Sequence, residues 1–216
     1  MRCARVPDGS FAMTSITPAD FKAMRFICSA PNARAFPEPD GAEIAFAGRS
    51  NAGKSSALNA LCERTGLART SKTPGRTQAI NFFSSDRLRF ADLPGYGFAR
   101  VPPAVKAAWQ ALIEGYLATR APLAGIVLIM DSRRPLLDFD RQLIDWGMQQ
   151  GLGFHLLLTK ADKLSRNQQV NTLRRVEREM PEASAQLFSA TKRQGIDEAR
   201  AAIAAFADGV NEQVVE

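Results

Sequence analysis

Histidine is almost absent from this chain of 216 residues, cysteine is sparse, and no apolar run is long. His155 is the sole histidine, and Cys3, Cys28 and Cys62 lie far apart with no C-x-x-C pair. Structural zinc sites need four His or Cys ligands at short spacing, so this combination excludes them. Scattered cysteines in odd number argue against a disulfide scaffold and fit a reducing cytoplasm. The longest apolar run, Ala121 to Met130, is about half a membrane span and ends at Asp131, so no transmembrane helix is expected. The basic first residues lead into no apolar stretch, so no secretory signal is expected either.

What is present is the composition of a folded globular chain: 45% hydrophobic and 23% charged residues. Collagen-like, fibrous and mainly disordered chains are excluded on that basis. The net charge is +6 and the pI about 9.6, with arginine supplying 21 of the 28 basic side chains. Arginine binds phosphate in a bidentate manner, so nucleic acid is a candidate partner. A general bias of the genome toward Arg and Ala accounts equally well for the charge.

Residues 1–20 read as a loose leader, 21–208 as one domain and 209–216 as a polar tail. Phe21 to Ser29 suggests a short strand, and the three prolines between Ala30 and Gly41 an irregular connector. Beyond Glu43 strands alternate with helices. The strand candidates are EIAFA, the hairpin AINFF and LRFAD, AGIVLIMD, FHLLLTK and SAQLFSA. Helices are expected over Ala57–Glu63, Ala104–Thr119, Phe139–Gln150, Ser165–Met180 and Gly195–Ala207. This alternation predicts a doubly wound α/β fold, a mostly parallel sheet with helices on both faces. Such sheets bind ligands at the carboxyl ends of their strands.

Each motif with chemical content falls at such an end. Gly48-Arg49-Ser50-Asn51-Ala52-Gly53-Lys54-Ser55 has the form G-x-x-x-x-G-K-[ST]. Its glycines let backbone amides wrap a phosphate at a helix N-terminus; Lys54 reaches the β and γ phosphates, and Ser55 offers a magnesium ligand. Asp92-Leu93-Pro94-Gly95 has the D-x-x-G form, with Asp92 suited to hold magnesium through water and the Gly95 amide to meet a γ phosphate. Thr159-Lys160-Ala161-Asp162 ends the next strand but one. A carboxylate there accepts both N1–H and N2–H of guanine, a donor pair that adenine lacks. Ser189-Ala190-Thr191-Lys192 ends the last strand, where a backbone amide can meet the guanine O6. The first motif alone fits ATPases and kinases as well as GTPases, and each later motif alone also describes an ordinary turn or helix cap.

Taken in order and spacing, these pieces resemble the boxes of the translation-factor-related GTPases. Within that class GRSNAGKSSALNAL, KTPGRTQAINFF, DLPGYGFA, LLLTKADKL and FSATKRQGI resemble the EngB family, also called YihA or YsxC. The resemblance covers roughly residues 26 to 207 and implies a P-loop GTPase fold. It implies that Gly48 through Ser55 bind the GTP or GDP phosphates, and that Gly75, Arg76, Thr77, Gln78 and Ala79 form the first switch. Asp92 through Gly95 form the second. Thr159, Lys160, Ala161 and Asp162 would select guanine, with Phe188, Ser189 and Ala190 behind the base. Magnesium would be held by Ser55, Thr77 and Asp92, and catalysis would draw on Lys54, Thr77, Gly95 and Asn51. Thr159 stands where most GTPases have Asn, as is usual in this family. Tyr96 stands where Ras-like enzymes place a water-orienting Gln. Likeness to related GTPases suggests that Asn51 helps to bind a potassium ion that supplies charge instead; a plain turn residue is the alternative.

Arg64, Arg69, Lys72 and Arg76 crowd one polar loop, which the resemblance turns into an expected contact with ribosomal RNA, gated by nucleotide. Arg174, Arg175 and Arg178 read as a solvated helix face. The expectation is therefore a monomeric, cytoplasmic, magnesium-dependent GTPase in large-subunit ribosome assembly, with a family association to cell division and septation and no membrane partner. A GTP-dependent docking module with negligible hydrolysis and a P-loop ATPase or kinase are the alternatives.

Overall fold

The computed structural model describes residues 15–68, 79–97 and 103–213, with the side chains of 103–106 and 210–213 left aside. The first element is earlier than the sequence suggests. Helix α1 (Pro18–Lys22) is only five residues long but fully capped: the Thr17 amide and hydroxyl each donate to Asp20 Oδ2 at 2.8 Å, and Pro18 occupies the first position. Ile16 before the cap and Phe21 after it belong to one buried cluster, a hydrophobic staple. The expected leader is therefore corrected: its last residues, from 15 on, are part of the fold. Strand β1 (Arg25–Ala30) starts after this helix, not at Phe21.

The rest follows in alternation: β2 (Ala42–Gly48), α2 (Lys54–Leu61), β3 (Ile80–Ser84), β4 (Leu88–Asp92), α3 (Pro103–Thr119), β5 (Leu123–Asp131), α4 (Asp138–Gln149), β6 (Phe154–Thr159), α5 (Arg166–Glu179), β7 (Ser184–Leu187) and α6 (Ile196–Gln213). The last helix runs into the expected polar tail, which is the second correction to the boundaries.

These strands form one sheet in the order β1-β3-β4-β2-β5-β6-β7. Strand β3 is antiparallel to both β1 and β4; the other neighbours pair in parallel. The period of two in β2 assigns its faces. Ala45 and Ala47 join a core with Trp109, Ile113 and Tyr116 of α3, Leu143 and Ile144 of α4 and Val176 of α5. Ile44 and Phe46 join the opposite core with Phe21, Leu58 and Leu61, and Ala199 and Ile203 of α6. Both faces of β2 and β6 are buried along their whole length, as central parallel strands require. The expected doubly wound architecture is the one found.

Among the charged side chains inside this frame, Glu43 is the most deeply buried. Glu43 is fully buried near the start of β2 and accepts from the Tyr116 hydroxyl at 2.6 Å and from Arg120 Nε at 2.8 Å. Arg120 NH2 closes the pair at 2.7 Å. A buried carboxylate is tolerated only when so satisfied. The result pins the C-terminal end of α3 to the sheet edge opposite the loops that carry the motifs.

Candidate functional site

The candidate site is assembled at the carboxyl ends of β2, β4, β5 and β6. After Gly48 the chain turns through Arg49, whose carbonyl accepts from the Ala52 amide at 3.0 Å. Gly53 precedes α2 at φ +105°, a conformation closed to other residue types, and a Cβ there would also touch Thr159 Oγ1 at 3.4 Å. Lys54 and Ser55 therefore open α2, where amides and helix dipole together favour an anion. The Lys54 ammonium reaches the Asp92 carboxylate at the end of β4, and both side chains are nearly buried. The Asp92 carboxylate at the end of β4 and the Ser55 hydroxyl in the first turn of α2 are oxygen donors of the kind magnesium takes.

Leu93 is buried and donates its amide to Phe46 O at 3.0 Å, so the D-x-x-G segment is stitched to β2. The Pro94 carbonyl accepts from Trp109 Nε1 at 2.8 Å. Gly95 faces the phosphate loop, and a Cβ there would stand 3.0 Å from Ser50 Oγ. The Tyr96 carbonyl accepts the Ser50 amide at 2.9 Å. Its side chain turns away into the core between Trp109 and Phe139, and its hydroxyl donates to Asp140. Tyr96 cannot hold a water at the phosphates from there.

Along the Thr159-Lys160-Ala161-Asp162 segment the side chains take up partners within the protein. Thr159 is buried, and its hydroxyl lies within donating reach of the carbonyls of Ala52 and Met130, the latter at 3.0 Å. It braces the Gly48–Ser55 loop, its hydroxyl proton being directed at backbone carbonyls. Lys160 adopts a left-handed conformation at φ +58° and stretches its Nζ to Asn51 O at 2.6 Å and Asp131 Oδ2 at 3.0 Å. Asn51 is left-handed too, at φ +64°. Two strained residues bonded to each other mark a site whose surroundings impose the strain.

Asp162 accepts from the Ser189 hydroxyl at 2.6 Å, which holds its carboxyl below the usual range despite some desolvation. Ser189 is itself fixed by mutual backbone bonds with Gln194 at 3.1 and 3.0 Å. Ser189 thus positions the carboxylate. Phe188, expected behind the base, is wholly buried in the core, and only its carbonyl serves the site, accepting from the Ala161 amide at 3.1 Å. Ala190 is half-buried on the turn that follows.

Ala79 is buried at the start of β3, while Gly75, Arg76, Thr77 and Gln78 lie outside the described residues, as do Arg69 and Lys72. Arg64 is corrected: its NH1 donates to Met24 O at 2.8 Å, so it anchors the end of the helix-α2 turn to the chain before β1.

Two acidic residues at the site were not singled out from the sequence. Asp131 ends β5 and receives Arg133 through Nε at 2.9 Å and NH2 at 2.6 Å, besides Lys160. Arg133, followed by burial acting the other way and then Lys160, keeps its carboxyl well below the ordinary value. Its position at the end of a parallel strand was the available signal. Asp140 is masked in the sequence as a helix-capping residue, and it does cap α4 through Leu137 N at 2.9 Å. A cavity of about 490 Å³ opens between Arg49–Ala52, Asp131 and the Arg133–Arg134 turn.

The chain is similar to known GTP-binding proteins. The family model described as "50S ribosome-binding GTPase" matches residues 43–160. A protein of Stenotrophomonas maltophilia (strain K279a) named "Probable GTP-binding protein EngB" is 54% identical over 185 residues, covering 83% of this chain and 92% of that protein. One of the same name from Aromatoleum aromaticum is 53% identical, covering 86% and 88%. Among solved structures, that of "a probable GTP-binding protein engB" matches with TM-score 0.65 at 20% identity, over 78% of this chain and 100% of that one. Era of Aquifex aeolicus matches with TM-score 0.61 at 16% identity, over 78% and 57%. The structural matches speak to the fold.

Proposed function

Since the chain belongs to the EngB family of GTP-binding proteins, we propose that it is a magnesium-dependent, slowly hydrolysing GTP switch acting on the large ribosomal subunit during its assembly. It would work as a monomer in the cytoplasm. The family association with cell division and septation would extend to it. The observation that carries this reading is the convergence of Lys54, Asp92 and a Ser189-supported Asp162 at the ends of three parallel strands.

In this reading the amides from Gly48 to Ser55 cradle the phosphates, and Lys54 leaves Asp92 to neutralise the β and γ oxygens. Ser55, Asp92 and Thr77 would hold magnesium, which when bound offsets the charge between those phosphates. The Gly95 amide meets the γ phosphate, and Asp162 takes the two guanine donors while Lys160 covers the base. Asn51 is the candidate for a potassium site. Gly75 to Gln78 would close over the γ phosphate, and Arg69, Lys72 and Arg76 would then face RNA.

Slow hydrolysis fits Tyr96, which stands where Ras-like enzymes place a water-orienting Gln and whose hydroxyl is committed to Asp140. The same observation favours a second reading, a GTP-dependent docking module with negligible hydrolysis. Co-sedimentation with 50S particles tests the first reading. Binding should be strong with a non-hydrolysable GTP analogue, weak with GDP, and lost in Lys54→Ala. Binding that ignores the nucleotide would overturn the switch. Single-turnover hydrolysis with and without 50S separates the two readings: a rate that stays at the uncatalysed level in both leaves only docking.

A further inference from the structure

The outer face of α5 breaks the local rules for a solvated helix. Arg166 occupies its first position, where the helix dipole disfavours a cation, and the first turn contains no acidic residue. The cap is a Ser165–Gln168 box, with Ser165 N donating to Gln168 Oε1 at 2.9 Å, although glutamate would serve both cap and dipole better. No carboxylate appears before Glu177, so the alternation of charge that usually solubilises a helix face is missing. A rule broken without a gain in packing points to function.

The cations are also ordered. Gln169, Leu173 and Val176 turn toward the protein, and at 100° per residue Arg166, Val170, Arg174 and Arg178 form an i, i+4 ridge that drifts 40° per step from the flank beside Leu173 to the side opposite, with Asn167 and Asn171 alongside it. All six are exposed, Val170 at 42%. Arg175 and Arg141 pair with Glu179, whereas Arg166, Arg174 and Arg178 make no ion pair among the described residues; Arg178 feels Glu179 only through space. Glu177, also exposed, falls in angle between Arg166 and Val170, so one carboxylate shares this side of the helix. The three arginines extend about 18 Å along the axis.

The helix is rigidly mounted. Gln169 Nε2 donates to Ala161 O at 2.9 Å and to Leu164 O at 3.1 Å, which ties α5 to the loop that carries Asp162. The face therefore has a fixed place on the molecule and includes no residue of either switch.

We infer that this Arg166–Arg174–Arg178 face of α5 is a second, nucleotide-independent docking surface for the RNA backbone, an inference that rests on the ribosome-directed reading above. Arginines contact phosphates in a row, and the intervening amides suit sugar and base edges. An acidic protein partner fits less well, because the face offers a single exposed aliphatic, Val170, as an anchor. The surface would hold the protein on RNA in both nucleotide states, and the switch loop would add affinity only with GTP.

The test uses the full chain with Arg166→Gln, Arg174→Gln and Arg178→Gln combined, against purified large-subunit rRNA and 50S particles over a series of salt concentrations. The slope of log K against log salt should drop by roughly 2, and affinity should fall about tenfold or more with both the GTP analogue and GDP. GTP affinity should not change, since none of the three touches the nucleotide site, and the triple Arg→Lys variant should restore most of the slope. Wild-type binding matched by the Gln variant in strength and slope would overturn this inference alone. A loss of affinity without a change in slope would mean a contact with protein and would overturn it too. Wild-type protein that binds neither rRNA nor 50S would overturn both this inference and the ribosome-directed reading.

Discussion

The Tyr96 hydroxyl donates to the Asp140 carboxylate, so the residue after Gly95 is clamped to α4. Tyr96 is 5% exposed, and its ring lies 4.4 Å from Phe139 and 5.9 Å from Trp109. Burial, with Asp140 beside it, pushes the phenol far up in pKa, and burial likewise raises Asp140 against the pull of the Tyr96 hydrogen bond. The tyrosine therefore stays a neutral donor. Because its carbonyl also receives the Ser50 amide, the clamp links α4, the D-x-x-G segment and the Gly48–Ser55 loop.

Tyr96→Phe keeps the rings packed but leaves the buried Asp140 short of a donor. Stability should fall by about 1–3 kcal/mol in urea unfolding. Single-turnover hydrolysis should change little, because the hydroxyl does not face the phosphates. A large loss of rate at unchanged stability would mean that Tyr96 moves into the reaction.

Asp162→Asn replaces the acceptor of two guanine donors. GTP binding should weaken by a factor of 100 or more, with about 10⁴–10⁵ as the upper limit for a site built around buried hydrogen bonds, and xanthosine triphosphate should bind better than GTP. Ser189→Ala removes only the support and should cost less. Because the folded carboxyl lies below its ordinary value, the ionised form survives mild acid. Guanine affinity should hold between about pH 7 and pH 5 and fall only as pH drops below the ordinary carboxylate range. Isothermal titration across that span checks the sign.

For Asn51 the left-handed backbone matters to the choice of variant. Alanine at φ +64° would be strained, so Asn51→Gly is the cleaner removal of the side chain. Turnover at saturating GTP should be faster in potassium than in sodium at equal ionic strength by about tenfold, which corresponds to about 1.4 kcal/mol in the barrier. Asn51→Gly should erase that difference. Equal rates in both salts for the wild type would leave Asn51 as a turn residue.

Asp20 caps α1 and receives Arg87 NH2 at 2.7 Å. Desolvation raises its pKa, but Arg87 and Thr17 outweigh it and bring the carboxyl down to about 2. A depressed folded pKa gives stability that is present above the unfolded value and lost as pH falls through the folded one. The full shift would be worth about 2 kcal/mol, discounted to about 1 because Arg87 is one-third exposed. Asp20→Asn should therefore destabilise by about 1 kcal/mol at neutral pH and by almost nothing near pH 2. A mutational cost independent of pH would refute the assignment.

The sequence by itself determined the sheet type, the element order and the location of the phosphate loop, Asp92 and Asp162. Those features depend on local spacing: a phosphate loop needs its glycines and lysine within eight residues, and buried parallel strands need unbroken apolar runs. Helix α1 was written locally as well, in T-P-A-D, but five residues carry no periodicity to detect. Only the tertiary structure decided what each neighbouring side chain does. Thr159 meets Ala52 across 107 positions, Tyr96 meets Asp140 across 44, and Lys160 meets Asp131 across 29. No spacing rule spans such distances, because the partner is chosen by which strand ends the sheet brings together. Thr159 and Phe188 end in bracing and core because the space beneath the loop is already filled with backbone carbonyls and apolar side chains.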